Sequence, residues 1–106
     1  KRKFDGIWAS FSIQHLSFRS QNLAFFNLSK ILNHAGIFYL GIHEGENSYR
    51  DNLGRFYLPR KKGELTTELE KNGLKVFKCE NITSKSYTGD DIDVMHIFAH
   101  KMDEIN

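Results

Sequence analysis

FDGIWASFSIQHL, Phe4–Leu16, begins as a strand and ends as the entry to a helix. Ile7, Trp8, Ala9 and Phe11 are packed closely enough along the chain for a buried strand with both faces covered, as in a parallel sheet. The polar run Ser17–Gln21 then offers side-chain acceptors for the free N–H groups of a helix start. Ala24, Leu28, Ile31 and Leu32 recur at helical spacing on one face, and Gly36 lies just past them, where a left-handed residue is expected to end the helix. Ile37–Ile42 is a second apolar run, rich in β-formers, with Gly41 inside it. Strand, helix and strand in that order make a crossover between parallel strands. A chain that enters a buried strand within its first few residues reads as part of a larger domain.

Further along, Glu44–Lys62 is a long polar stretch holding Gly45, Gly54 and the only proline, Pro59, and it reads as a functional loop. Leu65 and Leu69, one turn apart, mark a short helix over Glu64–Asn72 with Gly73 as its stop. Leu74–Ile82 and Ile92–Lys101 alternate in part and are joined by a polar turn around Tyr87–Asp91, which predicts two antiparallel strands. The expected architecture is therefore α/β: a partial Rossmann-like three-layer sandwich, two parallel strands followed by an antiparallel pair, with two to three helices.

Composition narrows the function classes. With 106 residues, 40% hydrophobic and 26% charged, the chain has room for one globular domain at most. A net charge of +2 is too mild for a nucleic-acid face, and the one basic cluster, Arg60–Lys62, reads as a solvated loop. Cys79 is the only cysteine, which excludes an internal disulfide and makes a reducing cytoplasm the default. No apolar run is long enough to span a membrane and no signal peptide is visible. Residue 1 is Lys rather than Met, which leaves the natural start open.

FDGIWASFSIQHL, LSKILNHAGIFYLGIHEGE, GRFYLPRKKGELTTELEKNGLKV and DVMHIFAHK, taken in order, resemble the C-terminal half of a class I S-adenosylmethionine-dependent methyltransferase. The first is similar to that family's fourth strand, of the form FDxIxAxxxLxHL. LSKILNHAGIFYL resembles the helix and fifth strand that usually read LxRxLxPGGxLxL, with His34 at the usual Pro and Ala35 at the usual first Gly. KKGELTTELEKNGLKV is similar to the later helix, and DVMHIFAHK to the terminal strand. The resemblance implies that residues 1–106 are the C-terminal part of a single methyltransferase-like domain. It also implies that the glycine-rich half that holds the cofactor lies upstream, since no G-x-G-x-G occurs here. In the family's sheet the first strand lies beside the fourth, so Phe4–Ser10 is expected to present an unpaired edge open to self-association or to the missing N-terminal half.

The implied activity is transfer of a methyl group from S-adenosylmethionine to a small-molecule acceptor by the intact protein, with this chain alone inactive. Such a reaction rests on positioning and water exclusion, with a general base where the acceptor carries a proton. His15, which follows the strand end, is the expected base, against the plainer reading of a helix-edge histidine. Ala9, Ser10 and Phe11 resemble the positions that border the cofactor, and the end of a buried strand is the alternative. Gln14 offers a hydrogen bond there or a polar helix entry. In the long loop GRFYL resembles the family's GRYF phrase, which places Arg55 and Tyr57 at the substrate; Arg55 suits a carboxylate or phosphate. His43 and Glu44, at the end of the second strand, suit a proton relay but are too few for a metal. His96 and His100 share a strand face without a third ligand, and Cys79 has nothing nearby to activate it, so no metal is expected.

Two other readings compete with the enzyme. One is a non-catalytic methyltransferase remnant serving association or binding. The other is an RNA-binding fragment, suggested only by the basic loop and the 13% aromatic content.

Overall fold

Phe38, Leu40 and Ile42 alternate along one strand, and Met95, Ile97 and Ala99 along another, and this period of two builds the core. The computed structural model describes residues 3–85 and 89–102. β1 (Phe4–Ser10) leads through a short 3-10 turn (Ile13–His15) into α1 (Phe18–Ile31) and then β2 (Leu32–His43). A small hairpin, β3 (Tyr49–Arg50) and β4 (Phe56–Tyr57), precedes α2 (Lys62–Lys71), and β5 (Leu74–Lys85) and β6 (Asp91–Lys101) end the chain. The main sheet has the order β1-β2-β6-β5, with β1 parallel to β2 and β6 antiparallel to both its neighbours. This is the expected partial Rossmann-like α/β fold, with two parallel strands, an antiparallel pair and two α-helices. The predicted turn at Tyr87 falls outside the described residues.

Register aligns Ala9 with Leu40 and Leu40 with Ile97 on one face of the sheet. Phe25 from α1 and Leu32 at the start of β2, with Leu65 and Leu69 from α2, join these strands in a single buried cluster. Each fully buried side chain of this size stabilises the fold by about 1.5–3 kcal/mol. Of the three layers expected, the described residues make two, the sheet and one helical layer. The opposite face carries an aromatic row in register, Trp8, Tyr39 and Phe98, with centroids 6.1 Å and 5.1 Å apart.

Four expectations change. β1 is not covered on both faces: Ala9 is buried, but Trp8 is 62% exposed and Phe4 43%. The reason is that, among the described residues, the helices pack only on the face that carries Ala9 and leave the face that carries Trp8 open. The left-handed residue after α1 is Ala35 (φ 60), not Gly36. Gly36 is required for a different reason: a Cβ there would meet Leu32 Cδ1 at 2.7 Å and the Asn33 carbonyl at 2.8 Å. Phe26 and Phe77, which suit a core by sequence, are 44% and 54% exposed, one on the outer side of α1 and one on the uncovered sheet face. The long loop is not irregular throughout, since it folds into the β3–β4 hairpin. Other local readings hold: Ser17 caps α1 by accepting the Ser20 N–H at 3.3 Å, and Gly73 (φ 78) ends α2.

Candidate functional site

Parallel β1 and β2 end side by side, and open α/β sheets place their ligands at such carboxyl ends. Phe11, the first residue past β1, has φ 55, a left-handed conformation that costs a non-glycine residue about 1–3 kcal/mol. It is held there by its N–H, which donates to the Gly41 carbonyl at 2.9 Å. Its ring lies 6.0 Å from His43 and 5.8 Å from His96. Gly41 has no room for a side chain, because a Cβ would stand 2.7 Å from Tyr39 Oη and 2.9 Å from the Phe11 ring.

The 3-10 turn after β1 sets the next layer. Gln14 is buried, and its Oε1 accepts the His43 N–H at 2.8 Å while its backbone carbonyl accepts the Leu58 N–H at 2.7 Å. Arg60, 2% exposed, ties the end of the loop to both helices. It donates to Gln21 Oε1 at 2.9 Å, to Asn22 Oδ1 at 3.0 Å and bidentately to Glu64. Gln21 in turn donates to the Leu58 carbonyl at 3.0 Å and the Leu16 carbonyl at 3.2 Å.

Asp51 organises the hairpin. Its carboxylate accepts the backbone N–H of Leu53 at 2.9 Å and of Arg55 at 3.0 Å, the Arg55 Nε at 2.6 Å and the Tyr57 hydroxyl at 3.0 Å. Burial pushes this carboxyl up, but the hydrogen bonds from Arg55, Tyr57 and Leu53 outweigh it and hold the group at about 2. Tyr49 and Tyr57 pair across the two strands with parallel rings 4.8 Å apart. Tyr57 also lies parallel to His43 at 5.5 Å, and His43 Nδ1 is 2.9 Å from the Tyr49 hydroxyl. Burial, helped by the charge of His15, pushes His43 below the ordinary histidine value. Burial, with Tyr57 and Asp51 adding to it, pushes Tyr49 up.

A cavity of about 730 Å³ opens between this hairpin and the far end of β5–β6, bordered by Phe11, His43, Tyr49, Asp51, Tyr57 and Asp93 among others. That is within the roughly 300–1,000 Å³ of small-molecule sites. Of the residues expected at the site, Phe11, Arg55 and Tyr57 line it, and Arg55 is engaged by Asp51. Ser10 lies exposed at the strand end and Ala9 is buried in the core; neither lines the cavity. His15 is one ring away: it donates from Nδ1 to the Phe56 carbonyl at 2.8 Å and meets Tyr57 edge-on at 4.6 Å. Glu44 lines the cavity beside His43, and its Oε1 accepts from Asn81 at 2.6 Å. Among the described residues no three His, Cys, Asp or Glu side chains converge to hold a metal ion.

Sequence reading did not single out Asp51. The signal was present: an Asp followed by Asn, Leu and Gly is a turn former whose carboxylate caps its own loop.

No protein-family model and no curated protein matches the chain. Solved structures do. The Burkholderia thailandensis 1,6-didemethyltoxoflavin-N1-methyltransferase, with 1,6-didemethyltoxoflavin and S-adenosylhomocysteine bound, is 17% identical with a TM-score of 0.79 over 97% of this chain and 46% of its own. A Methanosarcina mazei S-adenosylmethionine-dependent methyltransferase is 15% identical with a TM-score of 0.80 over 96% of this chain and 61% of its own. The protein in complex with the Haloferax volcanii methyltransferase activator is 10% identical with a TM-score of 0.71 over 98% of this chain and 56% of its own. The chain spans about half the length of these structures, and over nearly its whole described length it has the class I methyltransferase fold.

Proposed function

We propose that residues 1–106 are the C-terminal part of a single methyltransferase domain that transfers a methyl group from S-adenosylmethionine to a small molecule. The observation that supports this reading most is the cavity at the carboxyl ends of β1 and β2 on a methyltransferase fold. The cofactor supplies an electrophilic methyl group on a sulfonium. Residues at the end of β1 fit one side of it: the exposed Ser10 hydroxyl has no hydrogen-bond partner among the described residues, and the Phe11 ring offers a π face to a cationic centre. In this reading the remaining cofactor contacts come from outside this chain, which has no G-x-G-x-G.

The acceptor then lies in the cavity, against Tyr57 and within reach of Arg55, with the hairpin limiting water. The B. thailandensis enzyme binds a small molecule of its own, in keeping with an acceptor of that scale. The test is incubation of the full-length protein with methyl-labelled S-adenosylmethionine and a panel of small heterocycles bearing N–H or O–H groups. Label in a low-molecular-weight product is the expected result. Label in RNA or protein, or none at all, overturns the small-molecule reading.

One observation favours a second reading, a non-catalytic remnant kept for association. β1 has a free edge among the described residues and exposes Trp8. Calorimetry of the full-length protein separates the two, because a remnant gives no saturable binding of S-adenosylhomocysteine.

A further inference from the structure

We propose that His43, not His15, is the proton acceptor of this site, and that it serves a flat heterocyclic acceptor bearing an ionisable N–H or O–H. The inference rests on the methyltransferase reading above and deepens it.

The two histidines differ in what surrounds them. His15 is exposed, absent from the cavity wall, and spends its Nδ1 on the Phe56 carbonyl. His43 lines the cavity and is half-buried at the last position of β2. Its backbone is fixed by Gln14 and its ring by three contacts: the Tyr49 hydroxyl, the parallel Tyr57 ring and Phe11. Its Nε2 has no hydrogen-bond partner among the described residues, while Nδ1 is taken by Tyr49. In the proposed tautomer Nδ1–H donates to the Tyr49 oxygen, which leaves the free lone pair on Nε2. A base must be neutral to work, and burial favours that form. The titratable groups around it are Tyr49 and Tyr57 on the hairpin, Asp51 behind Tyr57, His15 on the 3-10 turn, the adjacent Glu44, and on β6 Asp93 and Asp91 across the cavity with His96 beyond Phe11; Asp90 and Lys85 also border the cavity.

The substrate class follows from the rings. Tyr57 lies within 2° of parallel to both Tyr49 and His43, at 4.8 Å and 5.5 Å, and all three line the cavity, so planar rings make up this part of its wall and a planar ligand is the class that suits it. The step balances simply. The X–H proton of the acceptor passes to Nε2, giving an imidazolium whose Nδ1–H stays on Tyr49. The X lone pair forms the new bond to the methyl carbon, and the carbon–sulfur pair returns to sulfur, leaving a neutral thioether. The proton then leaves His43 to solvent.

Two measurements on the full-length protein test this. Nitrogen-15 resonances of the His43 ring are followed with and without lumazine, a flat heterocycle with an acidic N–H. A shift of the Nε2 signal with Nδ1 little changed is expected; no Nε2 response overturns the assignment whether or not the protein transfers methyl groups. In the label-transfer assay His43→Gln is expected to lower kcat/KM by about 10²–10⁴-fold and to remove the acidic limb of the pH profile. Tyr49→Phe, which keeps the ring stack, should move that limb, and His15→Gln should retain it. If His43→Gln keeps both the wild-type kcat/KM and the limb, His43 is not the base even though the methyltransferase reading stands. If the wild type moves no methyl group, that reading falls, and the nitrogen-15 shift alone decides whether His43 meets the ligand.

Discussion

The side-chain oxygen of Gln14 accepts the backbone N–H of His43 at 2.8 Å, across 29 residues of sequence. A residue on the turn after β1 therefore fixes the last residue of β2, and with it the ring that borders the cavity. Gln14→Leu keeps the volume and removes the acceptor, which leaves a buried N–H unsatisfied at a cost of about 1–3 kcal/mol. A lowered urea midpoint with an unchanged slope is the expected outcome. The bond from Leu58 to the Gln14 backbone carbonyl survives the substitution, so the loop should remain docked.

Arg60 is the larger anchor. Its guanidinium is buried, whereas the carboxylate of Glu64 is 45% exposed and water can take over its part of the bond. Arg60→Met therefore strands Gln21 more than Glu64, and a loss of about 3 kcal/mol, the lower end for breaking a buried pair, is expected in thermal or urea melts. Arg60→Lys keeps the charge but not the fork that reaches Gln21, Asn22 and Glu64 together, and should fall between wild type and Met. A Lys variant as stable as wild type would show that the charge alone anchors the loop.

These two residues also show what a sequence read alone conveys. The alternation of Phe38, Leu40 and Ile42, the Ser17 cap and the Gly73 stop are local, so strands and helices could be read from them directly. The family resemblance gave the parallel pair and the free edge of β1, but not the place of β6 between β2 and β5. The open face of β1, unlike its free edge, could not be read, because Trp8 looks apolar whether or not another layer covers it. Arg60 looked like part of a solvated basic cluster, since its partners Gln21 and Asn22 lie 39 and 38 residues away. His43 was visible as a strand-end histidine, but its stacking on Tyr57 depends on the hairpin that Asp51 closes.

Asp51 makes the hairpin sensitive to acid. Its carboxyl is about 2 when folded, below the ordinary 3.8, so its contribution is complete above the ordinary value and is lost as pH falls through about 2. Tyrosine fluorescence should report opening of the Tyr49–Tyr57 pair over that range. Asp51→Asn cannot form the ionic bond to Arg55 Nε, and the variant should show a loosened hairpin already at neutral pH with no further acid step. An unaltered acid step in Asp51→Asn would assign the transition to another group.

The edge of β1 carries an expectation about solution behaviour. Trp8 is 62% exposed on a strand with one neighbour among the described residues, a combination that invites pairing with another chain. Sedimentation of the 106-residue chain should show association that grows with concentration. Trp8→Lys puts a charge on that edge while removing little buried area, so it should shift the population toward monomer without lowering the melting temperature. A wild-type chain that stays monomeric at high concentration would remove the edge as an association site.

Cofactor binding separates this chain from the larger domain it is proposed to complete. In the proposed reading Ser10 and Phe11 border one side of S-adenosylmethionine, and no G-x-G-x-G occurs in the 106 residues to receive its other parts. A ligand held on one side keeps much of its surface in water and gains too little to offset the freedom lost on binding. Titration of S-adenosylhomocysteine into the 106-residue chain should therefore give no saturable heat, while the full-length protein should bind it. Micromolar affinity in the short chain would mean that the carboxyl ends of β1 and β2 form the cofactor site by themselves, and the place assigned to the methyl acceptor would have to move.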